Sequence, residues 1–180
     1  MMAFDSPDIE TFRNDLNNNI AAVQKLKTND HASIKIQSLL NITIYVLATR
    51  FLEGSLKHII YNCTVMRGDN TTQLSTLEME LKKFNNPEFS HIQALFIKHL
   101  SFDISSGIKN TWFNAKDVSL LNEIVKNRHR NVHSTHDSSD WYSKNIKDLN
   151  DFNKEYIGMQ NILSYLDLIK WDSINVKFII

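Results

Sequence analysis

Apolar residues recur at helical steps along most of this chain. Ser6 followed by Pro7 is a helix start, an N-cap hydroxyl with proline at the first helical position. From there Ile9, Phe12, Leu16, Ile20, Val23 and Leu26 advance by threes and fours and form one stripe. Thr28-Asn29-Asp30 supplies turn and capping residues. The pattern resumes from about Ala32 to Met66, where Ile36, Leu39, Leu40, Tyr45, Leu47, Ala48, Phe51, Leu52, Leu56, Ile59, Ile60 and Cys63 cover a wide arc. Such an arc suits the central helix of a bundle. The β-branched run Ile42-Thr43-Ile44-Tyr45-Val46 would suit a buried strand, but the whole stretch is far longer than a strand and holds no turn. Gly68, directly after Arg67, is placed for a left-handed C-cap.

A short helix is expected over Thr72 to Phe84, with Leu74, Leu77 and Leu81 on one side and Asn85-Asn86-Pro87 stopping it. A second covers Ser90 to Leu100, with Ile92, Leu95, Phe96 and His99 inward. Ser101 to Thr111 has no clear period and reads as a connector. Asn114 can cap a helix through Val118, Leu121, Ile124 and Val125. After a polar loop from Ser134 to Asp140, a last long helix is expected over about Tyr142 to Lys170, with Phe152, Tyr156, Met159, Leu163, Leu166 and Ile169 inward. The tail Trp171 to Ile180 ends in Val-Lys-Phe-Ile-Ile, too apolar for a free end, and should dock on this chain or on a partner. The expected architecture is therefore one all-α domain over residues 1–180, an up-and-down helical bundle with two long helices and several short ones.

Composition narrows the function classes. The 180 residues carry 42% hydrophobic and 22% charged side chains with only four glycines and two prolines, which argues against disorder and against a loop-rich β-fold. Lys plus Arg and Asp plus Glu balance at 20 each, so no overall basic field exists to hold long duplex nucleic acid, and any contact with nucleic acid must be local. Cys63 is the only cysteine and forms no internal disulfide, and the first residues lack the basic and apolar regions of a signal peptide. The apolar stretch near 34–66 is interrupted by Lys35, Arg50, Glu53 and Lys57, too polar for a membrane span. A cytoplasmic protein with no membrane contact is expected. Arg67-Gly68-Asp69 matches an adhesion tripeptide, but any capped helix end can produce it.

The candidate chemistry lies in Lys126 to Asp137, K-N-R-H-R-N-V-H-S-T-H-D, at the end of the helix that Asn114 starts. Arg128, His129, Arg130, Asn131, His133 and His136 fall in one short segment where no core needs them. Two plain readings stand beside a catalytic one. Basic residues complement the macrodipole at a helix C-terminus, and His129 and His133, four apart with His136 following, could ligate a metal, although no carboxylate or thiolate shares the spacing.

Arg128 followed four intervening residues later by His133, with His129 as the polar residue after the arginine, resembles the catalytic motif of the HEPN superfamily (higher eukaryotes and prokaryotes nucleotide-binding domains). Ala48-Thr49-Arg50-Phe51-Leu52-Glu53-Gly54-Ser55-Leu56-Lys57 is similar to the A-x-x-x-L-E-G-x-x-K segment of stand-alone HEPN proteins of the RiboL-PSP type. The likeness spans most of the chain in helix order. It implies a HEPN-like bundle, a homodimer, and a metal-independent endoribonuclease without cofactors that acts as a toxin or defence effector, with an antitoxin or sensor protein as a possible further partner. A non-catalytic HEPN domain that binds RNA, a nucleotide or a protein partner is the alternative, and a plain helical interaction protein is a third.

RNA chemistry supports the same residue types. The 2′-hydroxyl beside the scissile phosphate is a built-in nucleophile, so the protein only has to move protons and stabilise charge. His133 can act as general acid or base near neutral pH, and Arg128 can hold phosphate oxygens through its fork. Asn131 and His129 are candidates for orienting the phosphate or the imidazole, and Arg130 competes with Arg128 for the phosphate. At about 100° per residue, Arg128 and His133 stand roughly 140° apart around a helix, so two copies across a two-fold axis would focus the groups better than one. Glu53 is either a supporting partner for an arginine or a charge paired with Arg50 or Lys57. Trp112 and Phe113 are expected to pack rather than to stack on bases, and Trp141 lies just after the motif loop.

Overall fold

A computed structural model describes residues 4–27, 34–132, 147 and 149–180. Among these residues the chain is an all-α bundle closed by one small hairpin. The elements are α1 (Pro7–Lys27), α2 (Ile34–Arg67), α3 (Thr71–Lys83), α4 (Phe89–Leu100), α5 (Ser106–Lys109), α6 (Ala115–Val132), α7 (Leu149–Leu166), β1 (Lys170–Asp172) and β2 (Lys177–Ile179). At 34 residues α2 is the axis of the fold, packing against α1, α3, α4, α6, α7 and β1. Its inward face buries Ile44, Tyr45, Ala48, Leu52, Leu56, Ile60 and Cys63, the arc the sequence pattern marks. The Cys63 thiol, enclosed there, is pushed up to about 12 by burial and is chemically quiet at neutral pH.

Local chemistry sets the helix ends. Ser6 starts α1, its hydroxyl taking the Ile9 amide at 3.5 Å and its carbonyl taking Glu10. Gly68 ends α2 at φ 90°, with its own amide on the Val65 carbonyl and the Asp69 amide on Thr64, the paired bonds of a Schellman cap. Arg67 and Asp69 are not displayed as an adhesion pair. Arg67 donates Nε and Nη2 to the Asp69 carboxylate at 2.7 and 2.6 Å and Nη1 to the His99 carbonyl at 2.7 Å, so the tripeptide is a clamp between α2 and α4.

Two expectations need correction at the C-terminus. The last helix stops at Leu166 rather than Lys170, and the tail is a β-hairpin. Trp171 pairs with Phe178 across it, ring centroids 4.8 Å apart, and Phe178 is buried on the bundle, so the tail does dock on its own chain. The turn is built by Asp172, whose carboxylate accepts the amides of Ile174 and Asn175 and the Asn175 side chain. The expected start of that helix near Tyr142 lies outside the described residues. The connector 101–111 contains the single-turn α5. Phe12 and Leu26, placed on the α1 stripe, are largely exposed, as is Leu39 on α2. No helix among the described residues is long and apolar enough to cross a membrane.

Candidate functional site

The helix that carries the candidate motif is fixed at its start and along its length. Asn114 accepts the amides of Lys116 and Asp117 at 2.8 and 3.1 Å, while Asp117 accepts the Asn114 amide at 2.9 Å and the Asn161 side chain of α7 at 3.1 Å. This reciprocal box caps α6 and ties it to α7. The two helices approach closely at Gly158, where a Cβ would meet the Leu120 Cβ at 2.8 Å and the Asp117 Cα at 3.2 Å. Leu121, Ile124 and Val125 are fully buried beneath. Further along, the Asn122 side chain accepts the Phe89 amide at 2.9 Å, docking the start of α4 onto α6.

This scaffold delivers Arg128 to α2. Its Nη1 donates to the Asn85 carbonyl at 3.0 Å and stands 4.0 Å from Glu53 Oε2. Glu53 also accepts Lys57 Nζ on Oε1 at 2.5 Å. One Glu53 oxygen thus serves the lysine a turn away, and the other faces the arginine on α6. At 4.0 Å the Arg128 contact is an ion pair without a hydrogen bond, and with side chains about one-fifth exposed (20% and 22%) it is partly screened. Among the described residues the other guanidinium donors of Arg128 have no partner. Arg50 forms no hydrogen bond or ion pair among the described residues and is exposed.

His129, Arg130 and Asn131 lie on α6, but their side chains are outside the described set. His133, His136 and Trp141 lie outside the described residues altogether. The metal reading of His129, His133 and His136 falls there too; among the described residues no group of three or more metal-ligating side chains occurs. Of the aromatics before Asn114, Phe113 is buried against Phe89 and Tyr165, while Trp112 is half exposed beside Tyr165.

A polar network that the sequence reading did not pick out lies beside this end of α6. Tyr45 of α2 donates to Glu155 Oε2 at 2.8 Å, and Lys147 donates to Glu155 Oε1 and to Glu123 Oε2, the latter at 3.0 Å. Glu155 is only 4% exposed. Burial raises its carboxyl above the usual range, against the pull of Lys147 and Tyr45. Burial pulls Lys147 down, but its bonds to Glu155 and Glu123 prevail and hold it above the usual lysine value. The signal was present in sequence, since Glu155 sits on the inward stripe between Phe152 and Met159, where a lone carboxylate requires a buried partner. In sequence Asn85 marks only a helix stop, and a backbone carbonyl that receives an arginine leaves no sequence signature.

No protein-family model, no curated protein and no solved structure matches this chain.

Proposed function

We propose that the protein is a metal-independent endoribonuclease of HEPN type, with Arg128 and His133 as its catalytic pair, assembled at a homodimer interface. One observation carries the reading. The two sequence segments that resemble the family, one around Glu53 and one beginning at Arg128, meet in space, with Glu53 Oε2 4.0 Å from the Arg128 guanidinium. A shared site requires the two segments to lie together, and their proximity on the packed pair α2 and α6 is what supports the reading.

In this reading Arg128 is oriented by the Asn85 carbonyl and by Glu53 and holds a phosphate oxygen of RNA through its remaining donors. Charge that builds on the phosphate during attack by the 2′-hydroxyl is stabilised by a guanidinium already in place. His133 moves the protons, taking one from the 2′-hydroxyl or giving one to the 5′-oxygen that leaves. His129, Arg130, Asn131 and His136 supply further contacts to phosphate or imidazole. No step requires a metal or a cofactor. The biological role that goes with this chemistry is a cytoplasmic toxin or defence effector, restrained by an antitoxin or sensor.

The test is cleavage of a mixed RNA pool in EDTA by the wild type, Arg128→Ala and His133→Ala, with product ends identified. Products with cyclic phosphate ends, lost by a factor of about 10²–10⁴ in each variant, are expected. Absence of cutting, or cutting that survives both substitutions, would refute the assignment and favour a non-catalytic binding domain.

A further inference from the structure

Three of the four glycines answer to the chain's own packing or backbone, and Gly54 does not. Gly68 sits at φ 90°, a Cβ on Gly107 would run into Phe113, and one on Gly158 would run into Leu120 and the α6 backbone. Among the described residues a Cβ on Gly54 would meet nothing within 4 Å, and the residue lies in the middle of α2, the longest helix described, with no positive φ. Glycine there is less favourable than alanine for the isolated fold. Among the described residues nothing fills the space over Gly54, which leaves the helix backbone there open to approach by a group from outside.

The surroundings say what kind of group that is. On the α1 side Gly54 borders a groove of about 300 Å³ whose walls are Phe12, Leu16, Leu47 and Phe51, with Asp15, Asn19 and Arg50 around it. Phe12 is 42% exposed, and its ring is set edge-on to His58 with centroids 6.3 Å apart. Arg50, one turn before Gly54, is an exposed cation with no partner among the described residues. On the other side, Glu53 faces Arg128. Neighbouring residues differ by about 100° around a helix, so the glycine separates an arginine that can hold phosphate from an apolar, aromatic groove. Flat apolar surface, unpaired cation and bare backbone suit a nucleotide, which presents a base and a phosphate in alternation.

We propose that single-stranded RNA crosses α2 at Gly54, with one phosphate at Arg128, the adjoining backbone against the bare helix beside Arg50, and the next base seated in the groove on Phe12. This rests on the reading of Arg128 as a phosphate-binding group. The local cations are what a chain with no net charge needs to hold an anionic strand at one place.

The experiment measures binding of a fluorescein-labelled, mixed-sequence single-stranded RNA by anisotropy across a salt series. The proteins are full chains carrying His133→Ala to prevent cutting, alone or with Gly54→Leu, Phe12→Ala, Arg50→Ala or Arg128→Ala. Helix content, melting temperature and sedimentation are recorded for each. Gly54→Leu is expected to weaken binding at least tenfold at unchanged helix content, and Phe12→Ala about tenfold through loss of one base stack. Arg50→Ala should flatten the slope of log K against log salt by about 0.7, one phosphate contact to a single strand. Should Gly54→Leu fail to fold, Phe12→Ala and Arg50→Ala decide. Wild-type-like binding in the groove variants with loss only in Arg128→Ala overturns this path and leaves the phosphate site standing. No RNA bound by the parent protein and none cut by the wild type overturns both. Binding that falls only as a dimer falls to monomer shows that a second copy covers the groove, which also overturns the path.

Discussion

Glu53 divides its two carboxylate oxygens between Lys57 on its own helix and Arg128 on α6. The lysine bond at 2.5 Å fixes the carboxylate, and the fixed carboxylate then presents a second oxygen to the arginine at 4.0 Å. Among the described residues Glu53 faces Arg128 without taking a hydrogen bond from it, the arrangement that the proposed phosphate-binding role calls for.

In the proposed nuclease reading Glu53→Gln lowers RNA cleavage about tenfold, the usual cost of losing an orienting outer partner. Because the pair is partly exposed, stability should change by less than about 1 kcal/mol. Cleavage rates and urea unfolding on the same preparations check this; an inactive variant that is also strongly destabilised would point to a structural role instead.

Replacing two glycines should move stability in opposite directions. Gly54→Ala adds a methyl that meets nothing within 4 Å among the described residues and should stabilise the fold by about 0.5–1 kcal/mol. Gly158→Ala forces a methyl against Leu120 and the α6 backbone and should destabilise it by about 1–3 kcal/mol. Denaturant midpoints read both, and equal shifts of one sign would contradict the packing described.

Lys147→Met leaves Glu155 buried with one acceptor oxygen unpaired. A loss of about 2 kcal/mol is expected, below the value for a fully buried pair because Lys147 is about 30% exposed. Adding Glu155→Leu removes the stranded charge, so the double variant should recover part of that loss. A double-mutant cycle with no coupling would show that the pair does not act as a unit.

The same carboxylate gives an unusual pH dependence. Because burial raises the Glu155 pKa in the fold, the folded protein binds more protons than the unfolded chain between the ordinary value of 4.5 and the raised one. Its contribution to stability therefore increases as pH falls through that window and is lost as pH rises. Unfolding free energies from pH 7 to 4.5 should show the wild type gaining on Glu155→Gln. Asp69 behaves oppositely: the Arg67 hydrogen bonds hold its carboxyl low, so its contribution is present above the ordinary value of 3.8 and is lost on further acidification.

Periodicity was enough for the longer helices, apart from the end of the last one, because an amphipathic stripe and a good cap need only neighbouring residues, whereas the single turn α5 carries too little pattern. Ser6-Pro7, Gly68, Asn114 and the wide arc of α2 lie where their local chemistry puts them. It also marked both segments of the candidate site, around Glu53 and from Arg128 onward, since residue types and spacing are local facts. What periodicity left open depended on distant partners. The C-terminal hairpin forms because Trp171 and Phe178 pair across a turn and dock on the bundle, and three-residue strands carry too little pattern to declare themselves. The reach of Arg128 to the Asn85 carbonyl and the partners of buried Glu155 were decided only when α2, α6 and α7 packed together. Contacts between helices follow from the angle and separation at which they pack, and no single stripe records those.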